Sequence, residues 1–520
     1  MTASGLLIQL RSLGVELSVT GDRLRYKAPA GVMTPALCSE VSRQKVELLA
    51  FLSATDKEAD AIVPLKRVDR TGPLPLSFSQ EQMWFLNQLS PGDPFYNITA
   101  ALRMRGEVNE EALRNSLQAI VDRHEILRTS FPTIDDKPVQ SISPFVSLNL
   151  EVVDLTSLAS VERQSQAQRL ANEEARRAFD LSRGPVLRAK LLRVSGNERV
   201  LILSLHHIVA DAWSMGIILK EMCAFYEAEM EGRKARLEEL AVQYADYAVW
   251  QRERMKGEWL EGELRYWREK LGVGAEVSEV ETDRARPGVQ KHRGKKVRLE
   301  ISPELRDEMK EMSRREGLTE YMVMMGGLEV MLSRMSGEEE VRIGTAVANR
   351  NQWELEDGIG MYANTVIRVG DLRGNPTMKE VMRRVKEEVI EGMGHEEVAY
   401  EKVVEELRPE REASREGVIG VMFVMKRREE EVRMRGIEIE EMEIEEGVAK
   451  FDVKVEVEEI GERMRVELEY DEELYEGARM ERMMKEYEKV IEVVVTDPGR
   501  RLWDLPELVT VAKSAIRNEN

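Results

Sequence analysis

The chain has 520 residues, 76 of them basic and 96 acidic, which gives a net charge of −20, and 42% of its residues are hydrophobic. That length allows about two to four domains with ample core, and the acidic balance excludes nucleic acid or an anionic membrane as a partner, since both need clustered positive charge. Cys38 and Cys223 are the only cysteines, which rules out a disulfide framework and points to a reducing, cytoplasmic compartment. No stretch approaches the ~18–20 apolar residues of a membrane span, and the N-terminus lacks the pattern of a signal peptide.

In chain order, residues 1–55 read as a separate small unit. Leu6, Leu7, Leu10 and Leu13 share a helical face that Gly14 terminates. Val15, Leu17 and Val19 alternate as a strand, Thr20-Gly21-Asp22 turns, and Leu24 and Tyr26 alternate back. Thr34-Pro35 opens a further helix, and Ser42 caps a last one carrying Val46, Leu49 and Leu52. A helix, a hairpin and two helices in so short a span bury little core. Such a unit is expected to dimerise or to complete itself with a partner strand or helix. A polar linker follows over 56–72.

The main body begins at PLPLSFSQEQMWFLNQL (73–89), and helical patterns then alternate with strands, which predicts a mixed α/β architecture. Leu113, Leu117, Ile120 and Val121 make 110–124 an amphipathic helix. RVLILSL (199–205) reads as a buried strand and 214–230 as a helix. The second half is biased, with 19 of 27 methionines beyond residue 300. Even so, FDVKVEV (451–457) and MRVELEY (464–470) alternate strictly around Gly461, so that half is folded and carries a hairpin. Two halves of similar size meet around 250–290.

The chain holds only five histidines, at 124, 206, 207, 292 and 395, and two are adjacent. His206 and His207 close the strand 199–205, and a helix starts just beyond Asp211. Adjacent strand residues point to opposite faces, so one imidazole is expected to face a cleft and the other to pack inward. Asp211 has three readings: a helix cap, an orienter of an imidazole, or the partner of a distant arginine. Zinc is disfavoured, because no third and fourth ligand stand at metal spacing. A general base or substrate-positioning imidazole is the chemically sharper reading. Taken alone, the segment does not decide.

The motif order does. HHIVADAWS (206–214) resembles the HHxxxDG signature of the condensation domains of nonribosomal peptide synthetases, relatives of chloramphenicol acetyltransferase. SFSQEQMWFLNQL (77–89), RHEILRTSF (123–131), YADYAVWQRE (244–253), IGMYANTVIRV (359–369), HEEVAYEKVVEEL (395–407) and REASRE (411–416) resemble that family's other motifs, in its order. The opening motif and TDRARPGVQKHRGKKV (282–297) resemble the class that joins an L-configured donor to an L-acceptor. Residues 1–55 resemble N-terminal docking domains whose exposed β-strand captures a C-terminal peptide of an upstream subunit.

The resemblance implies two chloramphenicol-acetyltransferase-like lobes, 73–250 and 286–500, joined through 251–285 in a V-shaped pseudo-dimer. An αββαα docking domain precedes them, and 501–520 begins the linker to a next domain. Donor and acceptor carrier proteins would deliver substrates on 4′-phosphopantetheine, with no metal and no cofactor held by this chain. The acceptor α-amine would attack the donor thioester at His207, with His206 supporting the loop. Asp211 would pair with Arg128 or Arg123. Ala212, Trp213, Ser214 and Asn364 would form the loop and the tunnel wall, Trp213 chiefly as core packing.

Tyr244 and Trp250 are expected as lobe packing, His124 as a structural histidine, His292 and His395 as surface residues, and Cys223 as a small buried apolar side chain. Ala212 stands where the family has glycine. A left-handed backbone there would cost alanine ~1–2 kcal/mol. Met361-Tyr362-Ala363 and Ala399 also depart from the usual pattern. Two rival readings stand: an acyltransferase using a diffusible thioester such as coenzyme A, against which the docking unit argues, and a non-catalytic recruitment domain of the same fold. Such domains usually degrade the histidine pair, which is intact here.

Overall fold

A two-residue connection between alternating runs makes a hairpin, and β1 (Glu16–Thr20) pairs with β2 (Arg23–Lys27) so that Thr20 faces Arg23 across Gly21-Asp22. The computed structural model describes residues 15–20, 23–27, 41, 45, 63–272, 279–287, 292–407, 419–427, 434–445 and 447–505. The hairpin belongs to a first unit, 1–64, and the rest of the chain forms a second. Of the helices expected in the first unit, Val41 and Lys45 are helical and the remainder lies outside the described residues.

The second unit opens with α1 (Phe78–Leu89), β3 (Asn97–Gly106), α2 (Glu110–Arg123), β4 (Leu150–Asp154), α3 (Ser160–Ala175), β5 (Leu187–Ser195), β6 (Glu198–His206) and α4 (Ala212–Met230). Helices start where the sequence supplies a cap. Ser77 forms a reciprocal capping box with Gln80 at α1, and Asn109 accepts from the backbone N–H of Glu111 and Ala112 at α2. Val200 to Leu205 lie buried on both faces of β6, which is why that run is continuously apolar rather than alternating.

Helices α5 (Tyr244–Arg254) and α6 (Gly257–Leu271) lead to the second half. It comprises β7 (Gly294–Ile301), α7 (Pro303–Glu316), α8 (Glu320–Ser336), β8 (Glu340–Val347), β9 (Asn364–Asp371), α9 (Met378–Gly392), α10 (Tyr400–Leu407), β10 (Val421–Arg427), β11 (Ile437–Met442), β12 (Val453–Ile460), β13 (Arg463–Asp471) and α11 (Gly477–Thr496). The predicted hairpin around Gly461 is β12–β13, with Ile460 facing Arg463.

Two sheets result. The first has the order β11-β3-β6-β5-β4 and the second β7-β13-β12-β10-β8-β9. The first sheet is closed on one side by a strand from the second half: β11 pairs antiparallel with β3, Ile437 opposite Gly106. Gly106 has φ of 138° and lies so close to the Gly436 carbonyl that a Cβ would not fit. A clean split into 73–250 and 286–500 therefore does not describe the chain, because Ile437–Met442 completes the other half's sheet.

Both ends of the expected linkers also pack. Arg70 bonds Asp246 at 2.7 Å and Glu125 at 2.9 Å. Leu502 and Leu505 join the second core, where Arg334 Nη1 donates to both carbonyl oxygens. Residues 501–505 thus belong to the fold rather than to a linker. That second core absorbs the methionine bias: Met309, Met322, Met324, Met325, Met331 and Met464 are buried in it. Unbranched thioether chains fill irregular gaps between helices without demanding one shape. No helix among the described residues is long and apolar enough to cross a membrane.

One buried acid in this core yields a prediction. Glu329 on α8 lies 2% exposed against Gly370 of β9, and burial, then Glu388, push its carboxyl well above the usual range, with Arg368 opposing. The folded state therefore keeps a proton that the unfolded chain releases above about pH 4.3. Stability must fall as pH rises through that window, by at most ~1.4 kcal/mol per pH unit. Glu329→Gln removes the effect. In thermal melts against pH the variant gains on wild type from about pH 4 towards neutrality; parallel curves would refute the assignment.

Candidate active site

The end of β6 carries the histidine pair, and its neighbours fix what each ring does. His206 is paired with Asn97 across the sheet and is 1% exposed. Its Nδ1 accepts from the Ile208 N–H at 3.1 Å, and its ring lies between Tyr96 and Phe179, at 6.2 and 6.1 Å between centroids. The next residue leaves the strand and starts a 3-10 turn, His207–Val209, pinned by the His207 N–H to the Tyr96 carbonyl at 2.7 Å. His207 is only half buried. The strand thus ends on the buried imidazole, and the turn that follows carries the more accessible one.

Electrostatics keep both rings neutral. Burial comes first for each, and then positive charge: His207 and Lys450 act on His206, and Lys450 on His207, so both fall to about 3. Lys450 reaches this position from the segment after β11. Ala449 donates to the His292 carbonyl at 2.8 Å, and the Lys450 ammonium stands 6.0 Å from the Tyr96 ring. A neutral imidazole offers a lone pair for a proton.

Asp211 organises the rest. Its Oδ1 caps α4 by accepting from the Ser214 N–H at 2.8 Å and the Ser214 hydroxyl at 2.6 Å. Its Oδ2 accepts from the Tyr362 and Ala363 N–H groups at 3.2 and 3.1 Å. Arg350 Nη2 lies 3.2 Å from Oδ1, with the two side chains 3% and 2% exposed. Of the three roles the sequence leaves open, Asp211 fills two, cap and ion-pair partner; none of its bonds goes to an imidazole.

The arginine is not the one expected. Arg123 is taken by Glu221 at 2.8 Å and the Glu238 carbonyl, and Arg128 by the Ser143 carbonyl at 2.5 Å. Both belong to the second motif's own neighbourhood, where α2 packs on α4. Arg350 comes from the loop between β8 and β9, 139 residues from Asp211. Its Nη1 donates to Leu355 and Gly358, and its guanidinium covers the Tyr362 ring at 4.2 Å.

The same loops bind one another elsewhere. Ser214 Oγ, whose single proton goes to Asp211, accepts the Gly360 N–H at 3.1 Å. Tyr244, 1% exposed, packs its ring where a Cβ on Gly360 would sit, and its hydroxyl donates to the Met361 carbonyl at 2.8 Å while meeting Ser77 Oγ. Tyr244 and Trp250 are buried packing residues, as expected.

Several expectations need correcting. Asn364 is 6% exposed and its amide is consumed by backbone: it donates to Glu396 and Val398 and accepts from Tyr400. It staples the segment before α10, so its amide is a backbone clamp. Trp213 is 44% exposed, not core, and donates to the Glu356 carbonyl. Ala212 is the exposed first residue of α4 and has no positive φ, so alanine carries no backbone penalty there. His292 meets Phe95 at 5.0 Å, and His395 stacks on Tyr266 at 3.5 Å and bonds Glu263, so neither is a plain surface histidine.

His124 is structural, bonding Glu221 at 2.8 Å, and burial pushes the Cys223 thiol up to about 12. Among the described residues no cluster of three metal-ligating side chains occurs. The parts played by Arg350, Met361 and Lys450 escape a reading of the sequence. Each meets the histidine loop from more than a hundred residues away, and no local spacing marks them.

Comparison with known proteins agrees with this geometry. The condensation-domain family profile matches residues 71–514, and that of the TubC N-terminal docking domain matches 4–53. The chain is 38% identical over 465 residues to a linear gramicidin synthase protein of Brevibacillus parabrevis, covering 89% of this chain and 9% of that protein. It is 34% identical to phosphinothricin tripeptide synthetase PhsC of Streptomyces viridochromogenes, covering 88% of this chain and 42% of that one. The chain thus spans a minor part of these relatives. Among solved structures, the X-domain from teicoplanin biosynthesis superposes with a TM-score of 0.76 at 27% identity, over 85% of this chain and 99% of that one. The first condensation domain of the CDA synthetase gives 0.69 at 18% identity, over 84% and 100%, a likeness of fold.

Two substitutions separate the pair from the cap. Arg350→Met leaves Asp211 buried without its cation and is expected to lower stability by ~3–5 kcal/mol, read by denaturant titration. Ala212→Gly, at an exposed helix start, costs at most about 1 kcal/mol and restores nothing. A glycine variant more stable than wild type would contradict the helical backbone at that position.

Proposed function

The chain belongs to the condensation-domain family of nonribosomal peptide synthetases, preceded by a docking domain of the TubC N-terminal kind, and from that premise we propose that it joins two carrier-bound thioesters. The donor is an acyl or peptidyl thioester, the acceptor an aminoacyl thioester, and both are L-configured. The docking domain takes the C-terminal tail of an upstream subunit onto its hairpin by strand addition. Phosphopantetheine arrives with the carrier proteins, and the chain holds no cofactor of its own. Pairing of two chains through the docking domain is part of this reading, as is a cytoplasmic setting.

The acceptor amine attacks the donor carbonyl, the C–N bond forms, and the C–S bond breaks. The amine proton passes to His207 and from there to the departing sulfur, so the ring ends as it began. The observation that carries this reading is the state of His207: a neutral, half-buried imidazole on a loop that Asp211 and Arg350 hold rigid. Proton transfer of this kind is worth ~10²–10⁴-fold, and holding the amine in line contributes separately. The boundaries follow the same reading: docking over 1–55, and condensation from 73 to at least 505, where Leu502 and Leu505 still lie in the core.

A second reading has one observation behind it. A complex of the X-domain and OxyB from teicoplanin biosynthesis is a structural neighbour at 26% identity and a TM-score of 0.76. On that likeness the chain would be a platform for another protein. Intact-mass analysis of the acceptor carrier separates the two. Loaded donor and acceptor carriers with wild type yield condensed product, and folded His207→Ala yields at least ~10²-fold less. No product from folded wild type across several L-substrate pairs would favour the platform. Deleting residues 1–60 leaves turnover with supplied carriers intact and abolishes coupling from an upstream subunit.

A further inference from the structure

We infer that Met361 is a positioning residue that fixes the tautomer of His207, so that the ring's lone pair stands on Nε2. The inference rests on the reading of His207 as the proton acceptor and adds how its basic nitrogen is chosen. The Met361 sulfur lies 3.2 Å from His207 Nδ1. A thioether carries no proton and serves only as a hydrogen-bond acceptor. At that separation the contact is attractive only if Nδ1 bears the hydrogen. Two lone pairs facing each other would repel, and nothing else in a thioether offers a proton. The neutral ring has one N–H, so Nε2 is left as the base.

The sulfur is itself held in place. The peptide N–H groups of Tyr362 and Ala363, directly after Met361, donate to Asp211 Oδ2. The Met361 carbonyl accepts from Tyr244, and the preceding Gly360 donates its N–H to Ser214 Oγ. Asp211 therefore reaches the imidazole through Met361 and not directly. An Asp–His bond would place a formal charge beside the ring and raise its basicity. The thioether orients the ring and leaves its basicity unaided. That fits an attacking amine, which in its neutral form is a nucleophile already and needs its proton removed only as the bond forms.

The ring also interacts with the backbone at His207 and Ala210, so a rival holder of the tautomer exists and the test must exclude it. The full chain, labelled with 15N-histidine, is read by imidazole 15N shifts and two-bond 15N–1H couplings. Five histidines make the spectrum tractable, and a His207→Gln difference spectrum assigns the ring. Wild type is expected to show Nδ1–H with Nε2 unprotonated. Met361→Leu keeps the volume, removes the acceptor, and shifts the tautomer ratio towards Nε2–H by roughly two- to tenfold, the range of an ordinary hydrogen bond. Met361→Gln supplies an amide oxygen and restores the wild-type form.

Nε2–H in wild type, or an unchanged ratio in Met361→Leu, overturns the inference and assigns the tautomer to backbone. Product formation tests the underlying reading separately. In Met361→Leu the kcat is expected to fall in proportion to the lost tautomer with KM little changed. A shifted tautomer with undiminished turnover would uphold the role of Met361 and remove His207 as the proton acceptor.

Discussion

A carboxylate buried to 2% exposure on one side and a guanidinium to 3% on the other hold this molecule's centre together. Removing two charges from water costs several kcal/mol each, and such a pair is worth keeping only when its remaining oxygens and protons are satisfied. Asp211 meets that condition unusually fully, receiving the Ser214 N–H and hydroxyl, two peptide N–H groups and Arg350. The donors come from both halves of the chain. The pair therefore fixes the histidine loop, the start of α4 and the Gly360–Ala363 segment relative to one another at once. A hydrophobic pair of similar size would fill the space but hold none of those three backbones.

Around that point the two sheets are built by different means. The first is made of Leu, Ile and Val on a strand buried on both faces, where branched side chains pack with little freedom. The second mixes valine, leucine and isoleucine with methionines from α7, α8, α9 and α11 packed on the sheet. Interiors tolerate such exchanges when volume is conserved, and a thioether adapts where a branched chain would clash. The charged surface outside this core shows the same bias, in glutamate and arginine, without disturbing the alternation of β12 and β13.

Local chemistry is legible in the sequence, and distance is not. The β1–β2 and β12–β13 hairpins, the buried β6 and the caps of α1 and α2 rest on spacing within a few residues, and their registers agree with that spacing. The His206/His207 division falls where the apolar strand ends, a boundary the sequence shows, and the turn that begins there sets the second ring. Asp211 can be recognised as wanting an arginine, but the motif offers Arg123 and Arg128, which are claimed by closer acceptors. Asn364 and Trp213 mislead for a related reason: a motif gives a residue's position, and its neighbours decide whether the side chain faces a cavity, a backbone or water. The exchange of β11 leaves no trace in composition, because a strand paired to one sheet reads the same as a strand paired to the other.

That exchange has a consequence in time. During synthesis β3 emerges early, and its outer edge has no partner until Ile437–Met442 leaves the ribosome. At about 5–20 residues per second the gap is on the order of tens of seconds. Throughout it a ten-residue strand, Asn97–Gly106, presents open backbone groups of the kind that pair indiscriminately with other chains. The nascent first half is thus a sticky intermediate by construction, and its protection falls to chaperones or to the charge of Arg103 and Arg105 along that edge. A fragment ending before β11 would carry the same liability permanently.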